Sequence, residues 1–254
     1  MPPNPPEAHR FAQFAATGLA LMAIVVFVSA AIRLGAVAPQ PLPAGAFAIL
    51  RGIHRVAASL DAVVIFALAW YGWRLRHALP RCAYAAWLAL ALAIVLSVLG
   101  VIGGRAPGPA LSLGNLVGGL ALAATLAWTL GQLRRTAGSA SSAWSTSITL
   151  GLTFVQCVLG GWLAIVATDL WSPLLLVHVL FGALLMIGML RVAAARGASG
   201  ARRGAMTLVV IAFAAPAAGS LALLLAPNFA ASLAHAAAVA ALVIALVHTR
   251  ARFA

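Results

Sequence analysis

WSPLLLVHVLFGALLMIGML, residues 171–190, decides the fold. These 20 residues contain no Asp, Glu, Lys or Arg. A stretch of about 20 apolar residues is long enough to cross a hydrocarbon core as a helix. One imidazole, His178, interrupts it, and polar groups at membrane depth are costly and usually kept for a use. Seven more runs of this kind lie on either side, over residues 11–31, 44–73, 83–103, 110–130, 144–166, 205–225 and 229–247. The chain is 64% hydrophobic and 7% charged, with mean hydropathy +1.09, whereas soluble domains carry roughly 25% charged residues. The sequence therefore reads as an all-α polytopic membrane protein with eight transmembrane helices. Little chain is left for a soluble domain, so any chemistry must occur between helices or at their ends.

The net charge of +13 does not indicate nucleic acid, because the arginines alternate between loops. All 16 basic residues are Arg. One side holds Arg10, Arg74, Arg76, Arg81, Arg134, Arg135, Arg191, Arg196, Arg202, Arg203, Arg250 and Arg252. The other holds Arg33, Arg51 and Arg105, with Arg55 just inside. The positive-inside rule puts the first set and both termini in the cytoplasm of a bacterial-type inner membrane. The first run is longer than a signal-peptide core and is followed by Arg33, so it reads as a retained helix behind a Pro-rich, disordered prefix over residues 1–8. Cys82, in a cytoplasmic turn, and Cys157, within a helix, make no metal motif and no expected disulfide. Trp73, Trp144 and Trp171 fall near run ends, as interfacial residues do.

The polar stretch 134–145 divides the runs into two fours, giving halves over residues 1–135 and 143–254. Ser112-Leu113-Gly114-Asn115 opens the fourth run and Ser232-Leu233-Ala234-His235 the eighth. Both follow a Pro-containing turn. The second and sixth runs place His54 and His178 near their outer ends. Two pseudo-symmetric four-helix bundles result, and repeats of this kind are common in membrane folds. His54, Asn115, His178 and His235 share one depth, roughly 8–15 Å in from the outer end at about 1.5 Å per residue.

Three imidazoles at one depth suggest heme iron. His178 and His235 are the candidate bis-histidine pair on facing helices; the competing reading is two histidines that hydrogen-bond helix to helix. Arg51 and Arg55 flank His54 and suit heme propionates through charge-assisted bonds, or lipid phosphate by snorkelling. Asn115 is a poor iron ligand, so a first-half heme would have His54 alone and an open position, or the site has decayed. Asp61, two turns deeper than His54, is a functional candidate by its depth, or pairs with a helix hydroxyl or stays protonated. Asp169 reads as a cap or interface residue.

These residues resemble the heme A synthase family of cytochrome oxidase assembly proteins. Ile32-Arg33-Leu34 closes the first helix as that family's Thr-Arg-Leu-Thr stretch does. Ile53-His54-Arg55 is similar to its second-helix His-Arg pair. Gln156 followed by Leu159-Gly160-Gly161 resembles its fifth-helix motif, Pro173 through His178 its approach to the sixth-helix histidine, and His235 the eighth. The resemblance implies oxidation of a methyl group of heme O to formyl by successive hydroxylations. It implies heme b as cofactor on His178 and His235, and the heme O substrate on His54. It also implies work beside heme O synthase and terminal oxidase assembly.

Two departures fall in the substrate half. The family's Glu three residues before the first histidine is Arg51 here, and its fourth-helix histidine is Asn115. The first external loop also lacks the cysteine pair of some members. Three other readings stay open: a non-catalytic heme-binding or heme-delivery protein, a b-type electron-transfer protein, and a transporter built on repeats. Lipid contact is expected, nucleic acid is not, and a homo-oligomer is left open.

Overall fold

A computed structural model describes residues 5–37, 42–104, 108–133, 140–166, 172–225 and 228–252. Eight helices are present among them: α1 (Pro5–Val37), α2 (Ala44–Arg74), α3 (Pro80–Gly103), α4 (Pro109–Leu133), α5 (Ala140–Val166), α6 (Pro173–Ala198), α7 (Arg202–Leu224) and α8 (Phe229–Arg252). Each is long and apolar enough to cross a membrane. The all-α, multi-pass reading therefore holds. With eight crossings, α1 begins and α8 ends on one side, here called the basic end because the clustered arginines lie there; the opposite side is the far end.

The helices exceed the hydropathy runs. α1 has 33 residues, about 50 Å at 1.5 Å per residue, against a hydrocarbon core of about 30 Å. α6 continues past Leu190 because Arg191-Val192-Ala193-Ala194-Ala195-Arg196 is rich in helix formers. The prefix is helical from Pro5, and Cys82 lies in the first turn of α3, which Pro80 opens, and not in a turn. Both cysteines are free and buried. Trp73 stacks edge-on to Trp87, with Arg76 over its ring. Trp171, the side chain of Trp144, Asp169, Arg105, Arg134 and Arg135 lie outside the described residues.

Packing follows one plan twice. α1 meets α2 and α4, and α3 meets α2 and α4; α5 meets α6 and α8, and α7 meets α6 and α8. Each set closes into a ring whose diagonals are α2/α4 and α6/α8. The rings touch through α4 on α8, flanked by α1 on α8 and α4 on α5. Exchanging α1 with α5 and α4 with α8 maps this contact set onto itself, as a two-fold axis would. Phe11, Ile65, Leu68 and Leu126 core the first ring, and Leu185, Met189, Leu208 and Leu246 the second. Leu120, Cys157 and Val243 fill the seam.

The cores are not centred. Among the described residues, α2, α3 and α4 bury nothing before Ala57, after Ala89 and before Gly119, respectively. α6, α7 and α8 bury nothing before Leu185, after Ala215 and before Leu242. Three helices of each ring thus pack toward the basic end and loosen toward the far end, whereas α1 and α5 stay buried as far as Gly35 and Gly161.

Candidate functional site

The four marked positions all lie in the loosened part. Helix caps set the depth of two of them. The Ser172 hydroxyl accepts from the Leu175 N–H at 3.2 Å, and Pro173 follows at the first helical position, so α6 starts there. The Asn228 side chain accepts from the Ala231 N–H at 3.0 Å and starts α8. His178 and His235 follow these caps by six and seven residues, so both rings reach the interior at similar depth.

They meet there. The imidazole centroids of His178 and His235 are 6.4 Å apart, with planes at 73°. A metal held at roughly 2.0–2.1 Å from one nitrogen of each ring would set the centroids about 6 Å apart. Both rings are half-buried. Each lies against a glycine of the preceding helix. A Cβ on Gly160 would come within 2.8 Å of His178 Cε1, and one on Gly219 within 3.0 Å of His235 Nδ1. Two glycines in α5 and α7 therefore seat the two imidazoles.

Neighbouring polar groups fix the rings unequally. His235 Nδ1 is 2.7 Å from the Ala215 carbonyl. A carbonyl can only accept, so Nδ1 carries the proton and Nε2 keeps its lone pair, as in ligating histidines. Gln156 donates through its amide to the His178 carbonyl at 3.0 Å, and the same nitrogen is 3.2 Å from His178 Nε2. That leaves His178 Nδ1 and Gln156 Oε1 buried without a hydrogen-bond partner. Buried polar atoms seldom stay unpaired. Ligation through His178 Nε2 requires the Gln156 amide to release that nitrogen, and its bond to the His178 carbonyl can persist.

The first ring differs. His54 Nδ1 lies 3.3 Å from the Ser29 hydroxyl of α1, and the imidazole also reaches the Val25 backbone. Arg33 and Arg55 lie close enough to act on it electrostatically. Asn115 is half-buried on α4, across the diagonal. Arg51 turns to the exposed face and stacks over Phe47 at 5.6 Å. Asp61 lies lower, in the packed floor. It is 3% exposed, with Oδ1 unpartnered and facing Gly18.

The structure thus brings His178 and His235 together and leaves His54 in the other ring. Among the described residues, no three His, Cys, Asp or Glu side chains converge. A groove of about 640 Å³ lined by Arg81, Tyr84, Thr125 and Trp128 lies near the basic end and contains none of the four positions. The residues that seat the pair, Gly160, Gly219 and the Ala215 carbonyl, are not evident from helix patterning alone. Only Gly160 and Gln156 carried a signal, through the motif quoted above. No family model matches the chain, and no curated protein matches it. The resemblance to heme A synthase therefore rests on its short motifs.

Proposed function

We propose that this chain is a heme-binding membrane oxidoreductase of the heme A synthase type, with heme b held between His178 and His235. The observation that supports it most is the 6.4 Å spacing of those two imidazoles in the loosely packed end of their ring. Bound there, heme supplies iron that changes its charge one electron at a time. The chain supplies the rest. The Ala215 carbonyl holds His235 in the tautomer that offers Nε2. Gln156 orients the His178 backbone, and Gly160 and Gly219 let both rings sit close to α5 and α7.

In the first ring, His54 would hold the heme O substrate, with Arg33 and Arg55 as partners for its carboxylates at the far end. Conversion of a methyl to a formyl group takes two hydroxylations and loss of one water, overall R–CH3 + H2O → R–CHO + 4 H+ + 4 e−, and would need an external electron acceptor reached through heme b on His178 and His235. The arginine distribution supports a bacterial-type inner membrane with both termini cytoplasmic, and the reaction supports a place beside heme O synthase and terminal oxidase assembly. Arg51 where the family has Glu, and Asn115 where a second imidazole would stand, favour a second reading: a non-catalytic heme-binding or heme-delivery protein.

The test is heme content and type on the purified chain, by pyridine hemochrome spectra and separation of extracted hemes. Heme b near one per chain, lost in both His178→Ala and His235→Ala, is expected. No heme after reconstitution, or full heme in both variants, would refute the site. Expression in a strain lacking heme A synthase separates the two readings: heme A formed only with this chain supports the enzyme, and heme b without heme A supports the binding protein.

A further inference from the structure

At the basic end of the second ring, Arg196 is buried and Arg250 half-buried, and among the described residues no acid is paired with either. Arg196, in the last turn of α6, is 8% exposed. Its Nη1 donates to the Thr249 hydroxyl of α8, which itself donates to the Ala245 carbonyl at 2.7 Å. Its Nε has no partner. The guanidinium lies on the backbone of α7: a Cβ on Gly204 would come within 2.5 Å of Nη2 and 3.0 Å of Nε. The next residue of α8, Arg250, donates through Nε to the Ser147 hydroxyl of α5 at 2.9 Å and leaves Nη1 buried without a partner. Arg252 is close enough to Arg196 to repel it.

The sequence holds three acids in all. Glu7 acts on Arg10 at the start of α1, Asp61 is in the floor of the first ring, and Asp169 lies outside the described residues. Among the described residues, no acid is paired with Arg196 or Arg250. A buried cation is costly unless paired. The C-terminal carbonyls of α6 offset part of that cost, yet guanidinium donors stay unused.

We infer that Arg196 is a binding site for a phosphate-bearing anion at the basic end of the second ring. A guanidinium presents a planar fork that matches phosphate oxygens. Basic pockets between transmembrane helices at this depth take lipid headgroups, and a soluble phosphate would use the same donors. The site is independent of the heme reading.

The test is thermal unfolding of the full chain in neutral phosphatidylcholine nanodiscs, with either phosphatidylglycerol in the bilayer or inorganic phosphate in solution. A saturating anion should raise the wild-type midpoint by roughly 5 °C, the scale for a ligand at about 100 times its Kd. Arg196→Gln should abolish the rise, and Arg202→Gln, an exposed arginine, should keep it. A response to phosphatidylglycerol alone assigns a lipid headgroup; a response to both assigns a free anion as well. Should Arg196→Gln fail to fold, native mass spectrometry of the wild type decides: retained phosphatidylglycerol or phosphate supports the site. No wild-type response and no adduct, or a full response in Arg196→Gln, overturns it.

Discussion

A histidine inside an apolar run is visible as a single letter, and so His178 and His235 could be read from the sequence. Their seats could not. Gly160 and Gly219 matter because each faces an imidazole from the neighbouring helix, and which helices adjoin is not written in either run. The same holds for Arg196. In the sequence it is one of several arginines that mark topology; in the structure α6 continues past Leu190 and carries it into the ring. Arg51 and Arg55, four apart, are both exposed, and Arg51 lies over Phe47. The seats give a prediction. Gly160→Ala and Gly219→Ala should each lower heme affinity about 10- to 100-fold, the usual cost of disturbing groups that orient a metal ligand. Titration of the apoprotein with heme, followed by the Soret band, reads this; unchanged affinity in both, with circular dichroism intact, would mean that neither glycine seats a ligand.

Helix existence was legible because each run is continuously apolar, whereas helix ends were not. Hydropathy stops where charge begins, and a helix does not. Pairing of elements depends on where small residues allow approach. At the α4/α8 crossing a Cβ on Gly131 would come within 2.5 Å of the Ala251 Cβ and 2.8 Å of the His248 carbonyl. Backbone cannot yield as a side chain can, so the helices would have to part. Gly131→Ala should destabilise by about 1–3 kcal/mol, the range for overpacking. Gly52 on α2 has open space in its place, and Gly52→Ala should be neutral or stabilise by up to about 1 kcal/mol through helix propensity. Unfolding midpoints in one detergent measure both. Equal midpoints for the two variants would mean that the α4/α8 crossing is not tight in the membrane.

At the scale of the molecule, the exchange of α1 with α5 and α4 with α8 makes Asn115 the counterpart of His235, just as the tetrapeptides ending in each suggest. Away from α1 and α5, both rings are floored by packed side chains and loosen toward the far end, so the first ring follows the plan of the second. What it lacks is the second imidazole, and His54 is drawn toward Ser29 of α1 instead. If the rings are equivalent frames, one substitution should restore the missing ligand. Asn115→His should raise heme content from about one to about two per chain, with the added heme showing low-spin, six-coordinate absorption. His54→Ala in that background should remove the added heme and leave the one on His178 and His235. An unchanged content in Asn115→His would show that matching helix order is not enough, and that the α1 side of the first ring holds His54 away from the α2/α4 diagonal.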